Sequence, residues 1–235
     1  MITSPFDFSY EKETQRIFHN VLKEGDKCVI AGAHQGFFVS LAASMVGPSG
    51  QVYGFEPELN NFMKLVVNTG EFSNVQRFNF ALCDRNQMAP FFVNKDNDGG
   101  HALFDVRCFS NNTNTMADPE TYEVRVKRLD DVLDDEDMSR LKLCLFDVEG
   151  AEHSVLKGAI NTITDNDVPY IICEINNPAL EKCHTSQRDL RSYMSMYGYK
   201  TYLIEPDKTT EIATGSDIQA RVDERTEAVF NVLFS

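Results

Sequence analysis

The sequence predicts an α/β fold in which a mostly parallel sheet is flanked by helices, and three observations support that class. Residues 27–31 (KCVIA) form a short apolar strand pattern, followed directly by a glycine turn at 32–36 (GAHQG) and an apolar helix pattern at 37–46. The same succession recurs at 141–163, where LKLCLF leads through an acidic turn into apolar residues at helical spacing. Residues 170–175 add another continuous apolar run, which is typical of strands buried on both faces of a parallel sheet.

The other elements follow from periodicity and turn residues. Ile17, Val21 and Leu22 recur at helical spacing and predict an N-terminal helix over residues 8–24, which Gly25 ends. We expect this helix to cover the start of the sheet or one side of a ligand pocket. The remaining predicted elements are a strand at 51–55, a helix after Glu56, a strand at 75–80, hairpin arms at 91–93 and 122–126, a helix starting at Asp130 and Asp131, a helix at 186–196, and paired strands at 200–204 and 228–234.

The chain is predicted to form a single domain over residues 1–235. A hydrophobic content of 42% over that length is sufficient for one large core. Residues 94–121 are rich in Asn, Asp, Gly and Thr and show little periodicity, which predicts a long loop insertion. Such a loop either contributes to substrate recognition or is disordered, and the sequence leaves both open.

Net charge restricts the class of partner. The formal net charge is −14, which repels phosphate backbones, and no basic run with interleaved aromatic residues is present. We therefore predict that nucleic acid is not a partner.

Apolar runs and cysteines bear on location. No apolar run approaches the roughly 20 residues that cross a membrane, and the N-terminus MITSPFDFSYEKE lacks the pattern of a secretory leader. The 6 cysteines show no zinc spacing or CxxC pair, and Cys28, Cys144 and Cys173 fall in predicted buried strands. Free buried thiols favour a reducing, cytoplasmic setting. The absence of a long apolar run predicts that the chain does not span a membrane.

A glycine turn and an acidic residue together suggest a nucleoside-containing cofactor. Glycines between a strand and a helix let the backbone approach a ligand, although many such turns need glycine for steric reasons alone. Glu56 follows the next strand about 20 positions later, where a carboxylate is expected to bind ribose hydroxyls. His34, inside the turn, is expected to shape the pocket.

Carboxylates at two neighbouring strand ends predict the reacting part of the site. Asp147 and Glu149 follow the strand at 141–146, and Glu174 ends the strand at 170–175. Adjacent strands lie about 4.8 Å apart, so these groups can share one pocket and accept a proton. Mg²⁺ or Ca²⁺ suits such ligands, but no spaced ligand motif is present, and we predict no metal site.

The order and spacing of five motifs resemble those of the FkbM-type methyltransferases, which use S-adenosylmethionine. The resemblance covers roughly residues 25–205, and DVEGAE is its most specific part. The motifs are GAHQGFF, VYGFEP, FALCD, LDDVL and FDVEGAEHSVLKGA. The resemblance implies a class I methyltransferase (Rossmann-like) fold, with a seven-stranded, mostly parallel sheet flanked by helices and an antiparallel C-terminal strand.

Position by position, the resemblance also implies the roles of individual residues. Gly32, Ala33 and Gly36 are expected to line the methionine and ribose part of the cofactor, and Glu56 the ribose hydroxyls. Residues 81–84, which include Leu82 and Asp84, are expected on the adenine side. Asp147 and Glu149 are expected near the methyl group.

Three positions depart from the family pattern. Ile30 replaces an acidic residue, His34 replaces Asn, and Leu145 replaces Lys.

The resemblance and the carboxylates at the strand ends together predict an S-adenosylmethionine-dependent O-methyltransferase that acts on a hydroxyl of a small molecule or a sugar. Two alternatives stay open: a cofactor-binding module with little or no turnover, and a different enzyme on a nucleoside-binding α/β fold.

Overall fold

The computed structural model describes residues 10–95, 99–106, 120–216, 218 and 229–235. Two sheets and a set of mostly short helices make up these residues. The strands are β1 (Lys27–Ala31), β2 (Gln51–Phe55), β3 (Val75–Phe78), β4 (Ala81–Leu82), β5 (Gln87–Val93), β6 (Glu120–Lys127), β7 (Leu141–Phe146), β8 (Tyr170–Asn176), β9 (Thr201–Ile204), β10 (Thr209–Ile212) and β11 (Val229–Phe234). The helices are α1 (Lys12–Val21), α2 (Phe37–Val46), α3 (Leu59–Asn68), α4 (Leu129–Val132), α5 (Glu152–Gly158), α6 (Ile160–Asp165), α7 (Asn177–Lys182) and α8 (Gln187–Met196).

The main sheet confirms the predicted α/β class. Its described strands have the order β10-β9-β11-β8-β7-β1-β2-β3. Strands β3, β2, β1, β7 and β8 run parallel, and β11 is antiparallel to both β8 and β9. The antiparallel C-terminal strand is therefore confirmed, and β10 adds an edge strand that the sequence analysis did not identify.

Apolar clusters cover both faces of this sheet. On one face, Ile17 and Phe18 of α1 pack with α2 and with Ile30. On the other, Val155 and Leu156 of α5 pack against strand residues such as Phe146. Because both faces are buried, the central strands are continuous apolar runs, as the sequence pattern predicts.

The hairpin arms predicted around the long loop form the second sheet. In it, β5 and β6 pair antiparallel, with Phe91 opposite Tyr122, and β4 lies beside β6. Of the predicted insertion at 94–121, residues 96–98 and 107–119 lie outside the described residues. The two arms hold the first and last described parts of that insertion next to each other.

Helix boundaries differ from the sequence expectation where close packing intervenes. The helix expected after Gly150 is divided into α5 and α6. At the end of α5, a Cβ on Gly158 would lie 1.9 Å from the carbonyl oxygen of Cys83, so the helix approaches β4 more closely than any other residue allows. The N-terminal helix begins at Lys12 rather than residue 8; residues 8 and 9 lie outside the described residues.

Cys28, Cys144 and Cys173 are buried and free, as predicted. None of the described helices is long and apolar enough to cross a membrane.

Candidate active site

A cavity of about 510 Å³ opens at the carboxyl ends of the parallel strands. This is the edge of an open α/β sheet where ligands bind. Two groups of residues line most of it, and part of the second sheet and its loop completes the lining. The turns after β1 and β2, with β4, form the half for which the sequence predicts a nucleoside, called here the nucleoside half; it includes Gly32, Ala33, His34, Glu56, Pro57, Ala81 and Leu82. The turn after β7 and the end of β8, with Tyr10 and the start of α2, form the half for which the sequence predicts the acceptor, called the acceptor half; it includes Phe37, Phe38, Asp147, Glu149 and Glu174.

Gly32 lets two strand ends meet at the floor of the cavity. Its φ is +77°, and a Cβ on it would lie 1.7 Å from the carbonyl oxygen of Asp147. The Asp147 N–H donates to the carbonyl of Ala31 at 3.1 Å, which fixes the two turns against each other. A glycine is therefore required here for two reasons: the Asp147 carbonyl lies too close for a Cβ, and the positive φ is unfavourable for residues with a side chain.

Gly36 has a packing role rather than the predicted place in the cavity lining. It precedes α2 with a φ of +94°, and a Cβ there would lie 2.9 Å from Leu65 Cδ1 and 3.1 Å from Thr69 Cγ2. Both neighbours belong to the α3 region, so this glycine sets the distance between α2 and α3.

Glu56 is held in the nucleoside half by two backbone donors. The N–H groups of His34 and Glu58 each donate to one of its carboxylate oxygens at 2.8 Å. Its side chain is buried, and burial raises its pKa to about 7 against the lowering effect of those two hydrogen bonds. Each oxygen keeps a further lone pair, so the group can accept hydrogen bonds from a ligand's hydroxyls.

On the predicted adenine side, Leu82 lines the cavity and Asp84 does not. Among the described residues, Asp84 accepts a hydrogen bond from Cys83 Sγ at 3.3 Å and lies 3.9 Å from Arg85, outside the cavity. The strand order explains the difference, because β4 ends at Leu82 and the chain then turns away toward β6.

The acceptor half brings Asp147, Glu149 and Glu174 together, as the sequence analysis predicts. Asp147 and Glu174 lie within hydrogen-bonding reach of each other. A hydrogen bond between two carboxyl groups requires a proton on one of them. Burial raises the pKa of Asp147 well above its usual range, and the charges of Glu11, Glu149 and Glu152 raise it further. The pKa of Glu174 is raised for the same reasons, first burial and then its carboxylate neighbours. Glu174 Oε2 is buried and has no hydrogen-bond partner among the described residues.

Glu149 projects from a strained turn. Its φ is +50°, which is uncommon for a residue with a side chain, and Asn176 Nδ2 donates to its Oε2 at 3.1 Å. Burial raises its pKa to about 7. Glu152 stabilises the same turn from below: its Oε1 accepts the N–H groups of Val148 at 3.0 Å and Gly150 at 3.2 Å. Strain of this kind persists at sites that the surrounding structure holds firmly.

The carboxyl groups are not arranged as a metal site. Within the described parts of the chain, no group of three or more His, Cys, Asp or Glu side chains is placed to hold a metal ion.

Tyr10 is a cavity residue that the sequence analysis missed. It precedes α1, lines the acceptor half, and packs edge-on against Phe37 with ring centroids 5.6 Å apart. Its hydroxyl bonds to Glu11, and burial followed by the nearby carboxylates raises its pKa, so it stays protonated. The helix was expected to cover either the sheet or the pocket; it covers the sheet, and the residues before it reach the pocket.

His101 also lines the cavity, on the side of the second sheet. Its Nδ1 accepts the backbone N–H of Asn94 at 3.0 Å, so in the neutral ring the proton lies on Nε2. His153, by contrast, lies away from the cavity, where it bonds to Thr185 at 2.8 Å and packs against Tyr193. This position, at the start of α5, gives His153 a packing role outside the cavity.

Two of the departures from the family pattern are neighbours. Ile30 and Leu145 are register partners on β1 and β7, and both are buried in the same apolar cluster. Neither lines the cavity. An acidic residue and a lysine at these positions would also be adjacent, so this chain has an apolar pair where the pattern has opposite charges.

The comparisons with known proteins agree with this geometry. A model of the "Methyltransferase FkbM domain" matches residues 31–201, more than half of the chain. A comparison with curated proteins finds no match.

Two solved structures are similar in fold. One is described as a "putative rRNA-methylase" from Clostridium thermocellum, with 12% identity, 95% of each chain covered and a TM-score of 0.52. The other is a "putative methyltransferase" from Streptococcus mutans in complex with SAH, with 10% identity, 100% of this chain and 98% of that chain covered and a TM-score of 0.50. These likenesses show the class I methyltransferase fold. With the family match, they establish that this chain belongs to the FkbM methyltransferase domain family, whose members use S-adenosylmethionine.

Proposed function

We propose that this methyltransferase transfers the methyl group of S-adenosylmethionine to a hydroxyl oxygen of a small molecule or a sugar. The observation that carries the proposal is the pair of carboxyl groups, Asp147 and Glu174, at the floor of a cavity whose other half suits a nucleoside. A hydroxyl is a poor nucleophile until its proton is removed, and a nearby carboxylate can accept that proton.

The cavity fits the cofactor's chemistry. Glu56 supplies acceptor oxygens for ribose hydroxyls, and Ala81 and Leu82 supply an apolar wall for a base. Gly32 lets the backbone approach a ligand closely, and the carboxylates suit a ligand with ammonium and sulfonium charges. When bound, S-adenosylmethionine supplies an electrophilic methyl group.

In this proposal Asp147 is the proton acceptor. A carboxylate whose pKa is raised by burial is a stronger base when it is ionised, and a cationic ligand beside it favours the ionised form. Glu174 shares the proton with Asp147, and Glu149 orients the acceptor from the strained turn.

A small acceptor is favoured over nucleic acid by charge. No Lys or Arg is among the described residues that line the cavity, and the chain has a formal net charge of −14. A phosphate backbone needs positive side chains around the site, so we do not expect RNA as the acceptor. A cytoplasmic location, suggested by the free buried thiols, stays a prediction.

A binding module without turnover is the second candidate, and the apolar pair Ile30–Leu145 favours it. The two candidates differ in one experiment, in which the protein is incubated with S-adenosylmethionine labelled in the methyl group and a panel of sugars and small hydroxyl compounds. Label in an ether product supports the proposed transfer. Cofactor binding by calorimetry with no labelled product from any hydroxyl compound would favour the binding module.

A further inference from the structure

The acceptor half of the cavity combines aromatic rings with carboxyl groups. Tyr10, Phe37 and Phe38 form one aromatic cluster, with ring centroids of Phe37 and Phe38 5.0 Å apart and those of Tyr10 and Phe38 6.2 Å apart. All three line the same cavity as Asp147 and Glu174. Aromatic rings beside carboxylates are the surroundings that bind organic cations, through the ring quadrupole and through charge.

Among the described residues, this half of the cavity has carboxyl groups and no basic side chain. Asp147, Glu149 and Glu174 line it, Glu11 and Glu152 lie next to it, and the described lining has no Lys or Arg. Glu56, in the other half, has two backbone donors, whereas Glu174 Oε2 is buried with no hydrogen-bond partner among the described residues. An unpaired buried oxygen is costly, and a bound cation with N–H or C–H groups would compensate it.

The cofactor alone does not balance this charge. S-adenosylmethionine has a sulfonium and an ammonium group against one carboxylate, so it brings one net positive charge, whereas Asp147, Glu149 and Glu174 keep two negative charges when one proton lies between Asp147 and Glu174. The carboxyl groups are also not placed to hold a metal ion within the described chain. An organic cation on the acceptor is a further source of positive charge that suits aromatic rings beside carboxyl groups.

We propose, on the basis of the proposed function, that the acceptor carries an ammonium group as well as the hydroxyl, as an amino sugar or an amino alcohol does. The ammonium group lies among Tyr10, Phe37 and the carboxyl groups of Glu149 and Glu174, and takes no part in the covalent change. Its place determines which hydroxyl reaches Asp147. Anionic acceptors such as sugar phosphates are excluded by the same charges.

Binding of a cation can be measured without turnover. The protein is saturated with S-adenosylhomocysteine, which fills the cofactor's own ammonium position, and is then titrated with choline or with its uncharged isostere 3,3-dimethylbutan-1-ol. We expect choline to bind about tenfold or more tightly than the isostere, from cation–π and charge contributions together. Equal affinities, or no choline binding, would overturn the inference.

Variants locate the site. Tyr10→Leu and Glu149→Gln are expected to remove most of the preference for choline, whereas Tyr10→Phe, which keeps the ring, retains it. Glu13→Gln removes one negative charge from α1 outside this cavity and is the matched control. A choline preference that survives both Tyr10→Leu and Glu149→Gln would place the cation elsewhere and refute the proposal.

Turnover separates this inference from the proposed function. Glucosamine and glucose are offered as acceptors with labelled S-adenosylmethionine. Methylation of glucose at the same rate as glucosamine, with no preference for choline, would contradict the ammonium site and would still support methyl transfer to a hydroxyl. A preference for choline with no methyl transfer to any hydroxyl would support the cation site and would contradict the proposed function.

Discussion

The carboxyl groups in the two halves of the cavity have different hydrogen-bond partners. In the nucleoside half, Glu56 receives one backbone N–H on each oxygen, from His34 and Glu58. In the acceptor half, Asp147 and Glu174 face each other within hydrogen-bonding reach, and burial raises the pKa of both. The carboxylate of the first half is therefore fixed by the backbone, whereas in the second half the raised pKa values favour the protonated forms, and a cationic ligand would favour the ionised forms.

Under the proposed function, this difference separates the carboxylate that binds the cofactor from the carboxyl groups that take part in proton transfer. Backbone donors fix Glu56 in one orientation, which suits recognition of a constant group such as a ribose. Carboxyl groups that face each other have their charge determined by what is bound, which suits a step that moves a proton. Variants in the two halves should consequently differ in whether they alter turnover or affinity.

The largest expected effect is on turnover in the acceptor half. Asp147→Asn keeps the side chain's shape and removes its basicity, so we expect kcat to fall by about 10²–10⁴-fold while cofactor affinity is nearly unchanged. Steady-state rates and calorimetry on one preparation measure both. Asp84→Asn, outside the cavity, is the control and should retain activity. Normal turnover with a lowered unfolding midpoint in Asp147→Asn would remove Asp147 from the chemistry.

Gly32 joins the two halves, and its replacement should damage the fold. Gly32→Ala adds a Cβ against the Asp147 carbonyl, and we expect a loss of about 2–5 kcal/mol in the free energy of unfolding, from left-handed strain and overpacking together. Gly198→Ala is the matched control, since Gly198 has a φ of +89° with nothing within 4 Å of the added Cβ. Denaturant unfolding measures both. Equal losses in the two variants would show that backbone approach contributes nothing.

In the nucleoside half we expect an effect on cofactor affinity rather than on the rate of the chemical step. Glu56→Ala should weaken cofactor binding by about 1.5–3 kcal/mol, the range for hydrogen bonds that involve a charged group. Glu58→Ala is the comparison, because Glu58 caps α3 through Asn61 and does not line the cavity. It should lower the free energy of unfolding by about 0.5–2 kcal/mol and leave affinity unchanged. Unaltered affinity in folded Glu56→Ala would contradict the ribose assignment.

The last expected effect is a pH dependence of stability in the unliganded protein. The pKa values of Glu149 and Glu152 are raised to about 7 from 4.5, so their folded forms hold protons that the unfolded chain releases. Their stabilising contribution is complete below pH 4.5 and is lost as pH rises through 7, by up to about 1.4 kcal/mol per pH unit for each group. His153, whose pKa is lowered by burial, acts in the opposite sense as one group.

Thermal unfolding at pH 4.5, 6 and 7.5 tests this dependence. We expect the midpoint to fall across this range, and Glu149→Gln to reduce the slope. A midpoint that rises with pH in the wild-type protein would show that the acceptor-half carboxyl groups are ionised without a ligand.

Several features could be predicted from local sequence. The helix α2 (Phe37–Val46) has the predicted bounds, and the strands β1, β2 and β7 are the predicted apolar runs. The meeting of Asp147 with Glu174 also follows from sequence, because adjacent parallel strands end at one edge. The hairpin formed by β5 and β6 follows from two apolar arms on either side of a polar segment.

Other features depend on contacts between distant segments. Gly36 and Asp84 stand in motifs that predict cofactor contact, yet Gly36 packs against α3 and Asp84 turns away after β4. Glu152 resembles an ordinary first-turn acid, but its buried Oε1 holds the turn that carries Glu149. No pattern in the neighbouring sequence distinguishes these structural positions from positions that contact a ligand.

By itself, the sequence determined most of the strands and helices along the chain, the edge at which the acidic residues gather and the family, because periodicity and short motifs are local properties. The tertiary structure decided that Tyr10 completes the acceptor half, that the Asp147 carbonyl leaves no room for a Cβ at position 32 and that Ile30 pairs with Leu145. These contacts join segments far apart in the chain. The raised pKa values of the carboxyl groups also belong to the tertiary structure, since burial and neighbouring charges exist only after the chain has folded.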